Sequence, residues 1–154
     1  MKKEHRKPDL PFALLHNFII FSMLKANPEF SPENFEVPDI DVKVSMLPVG
    51  DDKKKWHLYL SLDVREGADP KTYPYFFNMI MFGIFYAPVY PAIESEETRK
   101  EFHKILYVNG SSILYSAARE HIRTFTATGP YRPFILPTTQ FLPEDAEAAL
   151  QKTD

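Results

Sequence analysis

The sequence predicts an α+β domain: a four-stranded antiparallel sheet, then a long helix, broken once, that packs on one face of the sheet, then a short C-terminal helix. Three observations carry this reading. Two runs, 40–46 and 56–64, alternate apolar and polar side chains on either side of a polar turn, the period of a half-buried hairpin. Tyr75 to Tyr86 is almost free of polar residues, as in a strand covered on both faces. After it, apolar residues recur at helical spacing up to Gly129-Pro130, so strands come first and helices second.

At the amino terminus, Lys2, Lys3, Arg6 and Lys7 precede an apolar run from Leu10 to Leu24, the charge order of a secretory signal. Pro11, His16 and Asn17 interrupt that run, Glu4 and Asp9 sit in the basic region, and no small-x-small cleavage site follows. At about 15 residues the run is also too short to span a bilayer. Residues 1–9 therefore read as a disordered polar tail and 10–154 as one domain, with no membrane insertion. Phe12 to Leu24, rich in Phe18, Ile19, Ile20 and Phe21, suits a strand covered on both faces, with a helix as the competing reading.

Asn27-Pro28 ends that element, and Phe30 to Pro38 reads as a loop anchored by Phe30 and Phe35. Ile40, Val42, Val44 and Met46 then alternate with Asp41, Lys43 and Ser45, and Pro48 to Asp52 forms the turn. The returning strand sets Trp56, Leu58, Leu60, Leu62 and Val64 against His57, Tyr59, Ser61 and Asp63. Glu66 to Pro74 is the next turn.

Pro88 and Pro91 end the fourth strand, and Ser95 caps a helix whose first turn carries Glu96 and Glu97 at the positive end of its dipole. Asn109-Gly110 is expected to interrupt it. Beyond the interruption, Ile113, Leu114, Ala117, Ala118, His121, Ile122 and Phe125 share one side, with Tyr115, Ser116, Arg119, Glu120 and Arg123 on the other. Pro130, Pro133 and Pro137 hold an extended segment that no central strand would tolerate, and Pro143 opens a short helix running to Leu150.

A chain of 154 residues with 44% apolar side chains and a net charge of −3 has enough core for one domain and lacks the basic surplus of a nucleic-acid binder. Without cysteine it has neither a disulfide framework nor a thiolate metal site, and it suits a reducing compartment. His5, His16, His57, His103 and His121 occur singly, with no HxxxH or HxH spacing, and GxSxG, Walker and GxGxxG motifs are absent. The expectation is a protein without metal, cofactor or catalysis, with His121 a hydrogen-bonded residue at the edge of the core.

The apolar excess is more informative. In the fourth strand Phe76, Asn78, Ile80, Phe82 and Ile84 point one way and Phe77, Met79, Met81, Gly83 and Phe85 the other. The helices supply one covering, so the second face meets another subunit, a client, a ligand, or loops of the same chain. Met23, Met46, Met79 and Met81 adapt to irregular partners. Phe18, Ile20, Met81, Phe85 and Tyr86, on the first and fourth strands, are the candidate client-binding residues.

The chain carries, in order, Gly83-Ile84-Phe85 at the end of the fourth strand, Ile113-Leu114-Tyr115 and Ala118-Arg119-Glu120 with Ile122 on the long helix, and Leu136-Pro137 with Phe141 beyond it. In these motifs and their order, over residues 12–141, it resembles the SecB protein-export chaperone family. The resemblance implies a cytoplasmic, ATP-independent holdase that binds unfolded polypeptides. It also implies homotetramers built as dimers of dimers, with the long helices between the sheets and Tyr115, Arg119, Glu120 and Arg123 at an interface. Thr138 and Gln140 depart from the family tail, and the terminal helix is short. In the family that segment helps docking on the SecA motor, so SecA contact is expected to be weak or absent. Clients are then either exported precursors or one dedicated partner such as an antitoxin. The alternative function is a module that encloses a small apolar ligand or serves as an interaction domain.

Overall fold

The alternating runs build the sheet. The computed structural model describes residues 12–37, 39–64 and 71–151; the turn expected from Glu66 falls largely outside them, and the terminal tail wholly so. Strands β1 (Ala13–Ala26), β2 (Asp41–Val49), β3 (Lys55–Val64) and β4 (Tyr75–Tyr86) form one antiparallel sheet in the order β1-β4-β3-β2. Helix α1 (Glu96–Thr126) crosses one face, and a short helix, α2 (Ala146–Ala149), closes the chain. The α+β class is as the sequence predicts. Pro48 lies in β2, an edge strand, where its missing amide proton disturbs no central ladder.

The inward face of the sheet is the core. Trp56, Leu58, Leu60, Leu62 and Val64 of β3 and Phe77, Met79, Met81 and Phe85 of β4 are all buried beneath α1, whose Phe102, Leu106, Leu114, Ala118 and Ile122 fill the other side. Ser95 begins the helix as expected, its Oγ accepting from the Thr98 amide at 3.4 Å.

Two expectations need correction. The helix is unbroken: its 31 residues run straight through Asn109-Gly110. Gly110 is there for proximity, since a Cβ on it would lie 2.6 Å from Leu58 Cδ2, and one on Gly83 of β4 would lie 2.9 Å from Leu114 Cδ2. Asn109 points to solvent. The helix face is also rotated from the apolar stripe, because Gly110, Ser111 and Tyr115 are buried while Ile113 and Phe125 are exposed.

The second correction concerns β1, which is an edge strand and not one covered on both faces. It pairs with β4 alone among the described residues, and register shifts between Leu14 and His16 and between Ile19 and Phe21 turn Leu15 and Ile20 out of the ladder. Leu15 and Ile20 are about half exposed, 53% and 50%. An edge strand whose side chains meet another molecule has the same composition as a buried one, so the pattern does not separate them.

The helix geometry fixes two opposite mutational outcomes. Gly110→Val overpacks the contact with Leu58 and is expected to lower stability by about 1–3 kcal/mol in urea unfolding. Asn109→Ala is expected to raise it by about 0.5 kcal/mol, the helix-propensity gain at an exposed interior position; a loss at Asn109 would mean a turn there.

Candidate functional site

The outward face of the sheet carries an aromatic cluster. Phe82 is the hub, with ring centroids 4.9 Å from Phe18, 4.8 Å from His57 and 4.9 Å from Tyr59. These neighbours reduce its exposure to 6%, so the second apolar face is covered at its centre by its own side chains. Phe18, Phe21 and Met23 on β1 and Tyr86 at the end of β4 stay exposed around it. Burial, and then the positive charge of Lys55, push the His57 imidazole below its usual range.

The five candidate client contacts separate by strand parity. Phe18, Ile20 and Tyr86 are exposed, whereas Met81 and Phe85 face α1 and are buried. Met81 and Phe85 are core residues that a folded protein cannot offer to a client. Of the candidate interface residues, Arg119, Glu120 and Arg123 lie on the outside of α1. Arg123 donates to Glu120 from Nε at 3.0 Å and from Nη2 at 2.5 Å, which holds the Glu120 carboxyl below the ordinary carboxylate range. Tyr115 turns inward instead, its hydroxyl donating to the Pro137 carbonyl and its ring edge-on to Phe141 at 6.0 Å.

Another apolar surface lies where the β1–β2 connection meets the proline-rich segment after α1. The connection is pinned to the start of β4: Asn27 donates from its amide to the Pro74 carbonyl and from Nδ2 to the Tyr73 carbonyl, each at 2.8 Å, and Ser31 and Glu36 amides bond to Lys71 and Thr72 carbonyls. Facing it, the segment after α1 is fixed by hydroxyls. Tyr131 donates to the Asn27 carbonyl at 2.6 Å, its amide donates to Tyr75 Oη at 3.4 Å, and the Phe134 amide donates to Thr126 Oγ1 at 2.8 Å. Between the two walls runs a groove of about 1100 Å³ whose aromatic lining is Phe30, Phe35, Tyr131 and Phe134, with five prolines and Val37, Ile135 and Arg132 completing it. Phe35 and Ile135 are 51% and 57% exposed, so large apolar side chains stand open to solvent on both walls. The sequence showed Phe30 and Phe35 as anchors and the prolines as extended chain, but not that the two segments face each other across 100 residues of chain.

The histidines are dispersed, with one exception. His103 accepts or donates at Nε2 with Tyr90 Oη (3.0 Å), and its Nδ1 meets Glu147 Oε1 at 2.8 Å. The fold brings the carboxylate from 44 residues away, which sequence spacing does not reveal. With His103 buried against Trp56 and Phe102, this chain of polar contacts ties α2 onto α1. His121 is half-buried against Phe125 and has no hydrogen-bond partner among the described residues, contrary to its expected role. Among the described residues, no group of three or more His, Asp or Glu could hold a metal ion, and no helix is long and apolar enough to cross a membrane.

Known structures share this architecture. A SecB-like chaperone of Mycobacterium tuberculosis, solved with a peptide from an antitoxin, is similar with a TM-score of 0.56 and 13% identity over 85% of this chain and 92% of its own. A Streptococcus agalactiae protein of unknown function is similar with a TM-score of 0.50 and 12% identity over 83% of this chain and 97% of its own. No protein-family model matches the chain, and no curated protein sequence matches it significantly. The fold is SecB-like, and at these identities the likeness extends to the fold alone.

The lowered His57 value sets a pH dependence. Because the folded state binds the proton more weakly than the unfolded chain, His57 favours unfolding progressively as pH falls through the ordinary imidazole range toward the lower folded value. A His57→Asn variant is expected to lose less stability than the wild type over that window, read as urea midpoint against pH; equal losses would mean that the ring titrates normally.

Proposed function

We propose that this protein is an ATP-independent holdase chaperone that binds unfolded or extended polypeptides. The observation that carries the reading is the groove between the β1–β2 connection and the proline-rich segment, apolar on both walls, with Phe35, Val37 and Ile135 exposed. Extended chains present side chains at close intervals, and a trough of rigid aromatic and proline surfaces accepts them by many dispersed contacts. The amide of Ile135 has no hydrogen-bond partner among the described residues, so the groove wall also offers main chain for strand-like pairing. A pocket for one small ligand buries 70–90% of its guest, and walls as open as Phe35 and Ile135 suit that alternative poorly. Phe18, Ile20 and Tyr86 add a second apolar area on the far side of the sheet for longer clients.

In this reading the protein works in the cytoplasm as a dimer of dimers, with α1 helices meeting across Arg119, Glu120 and Arg123 and the β1 edge strand giving a further contact. The M. tuberculosis protein holds a peptide from an antitoxin, and a dedicated client of that kind fits this chain better than general export duty. Its terminal segment supports this: only four residues form α2, and Glu147 is committed to His103. Among the described residues of that segment, Glu144 and Asp145 are the acids left for docking SecA.

Two measurements test the proposal. Phe35→Ser and Ile135→Ser, at exposed positions, are expected to leave thermal stability within about 0.5 kcal/mol of wild type while suppressing aggregation of chemically unfolded proteins far less well. If the double variant protects as well as wild type, the groove is not the binding site; if wild type gives no protection, the holdase reading falls. Light scattering is expected to show a tetramer, and a titration against SecA no binding; a stable monomer or tight SecA binding overturns the corresponding part.

A further inference from the structure

The groove lining has one charged side chain among the described residues, Arg132. Its guanidinium has no hydrogen-bond or ion-pair partner among the described residues, whereas Arg99 donates to the Ile93 carbonyl and Arg123 to Glu120. The backbone beneath Arg132 is held firmly. Pro130 and Pro133 bracket it, and the neighbouring Tyr131 is fixed through both its amide and its hydroxyl. A guanidinium placed beside apolar and aromatic walls is poorly solvated on that side, and the ligand that satisfies its planar fork is a carboxylate.

The surrounding charges sharpen the choice. Glu33 and Glu36 lie exposed on the opposite loop, outside the groove lining, and the chain carries a net charge of −3. Long-range electrostatics therefore disfavour an acidic client, and a carboxylate is welcome only beside Arg132. Any preference for acid must then be local, which makes it separable by experiment.

The geometry points to a substrate class: extended apolar segments that carry an Asp or Glu side chain among their hydrophobic residues, with Arg132 taking the carboxylate and the aromatic walls taking the flanking side chains. This deepens the polypeptide-binding reading and rests on it. Arg132 sets the register of the bound segment as well as its identity, because it is the one charged side chain in the groove lining among the described residues.

The test uses the full chain and short fluorescent peptides, amidated at their C-termini so that the only carboxylate is a side chain. Three peptides share an apolar sequence and differ at one central residue, Glu, Gln or Lys. In anisotropy titrations wild type is expected to bind the Glu peptide about tenfold more tightly than the Gln peptide, the scale of a charged hydrogen bond at a partly exposed site. Arg132→Gln is expected to abolish that preference, and Arg132→Glu to transfer it to the Lys peptide. Equal binding of the three by wild type, or a Glu preference that survives Arg132→Gln, overturns this inference and leaves polypeptide binding standing. Failure of all three peptides to bind overturns both.

Discussion

The close approach of α1 to the sheet is the constraint on which the rest of the structure depends. It is made where Gly110 of the helix meets Leu58 and where Gly83 of β4 meets Leu114, with Phe85 wedged beside both. Gly110 in a helix interior costs about 1 kcal/mol relative to alanine. A side chain there would cost about 1–3 kcal/mol by overpacking, so glycine is the better residue and the helix continues through it. Because α1 lies this close, one face of β3 and β4 is sealed, and Met81 and Phe85 belong to the interior.

Sealing one face leaves the opposite face to its own resources. It closes over Phe82 with three rings from its two neighbouring strands, Phe18 of β1 and His57 and Tyr59 of β3, and stays open along β1. The groove arises at the far end of the same helix. There Thr126 donates from Oγ1 to the Ile122 carbonyl at 2.7 Å and accepts from the Phe134 amide, and Tyr75 bonds both the Thr126 carbonyl and the Tyr131 amide. Each hydroxyl acts as donor and acceptor, turning the end of α1 into the start of a groove wall. Gly129 is required at this turn, since a Cβ would lie 2.2 Å from the Tyr75 hydroxyl.

Binding surface and core thus draw on the same residue types. Among the described residues, fifteen large hydrophobic side chains are exposed, Phe18, Phe35 and Ile135 included. Exposure of this extent in a chain of 154 residues is coupled to prolines and hydroxyl anchors that keep the apolar walls from collapsing onto one another. Rigidity at Tyr131 and openness at Phe35 and Ile135 are two results of one arrangement: the backbone is fixed by hydrogen bonds, which frees the side chains from serving as its packing.

Local pattern alone determined the β2–β3 hairpin from its two-residue alternation, the fourth strand from its apolar run, the long helix from its cap and its Gly129-Pro130 stop, the extended proline segment, and the terminal helix after Pro143, while the apolar run of β1 left strand and helix both open. Those are properties of neighbouring residues. Tertiary structure decided the rest. Whether Asn109-Gly110 breaks a helix depends on what stands across from Gly110; whether an apolar strand such as β1 is central or at the edge depends on how many partners the sheet gives it; and whether His103 meets a carboxylate depends on where the fold returns Glu147. The groove was the least legible feature because its walls are about 100 residues apart in the chain, and no local periodicity records which two loops a fold will bring face to face.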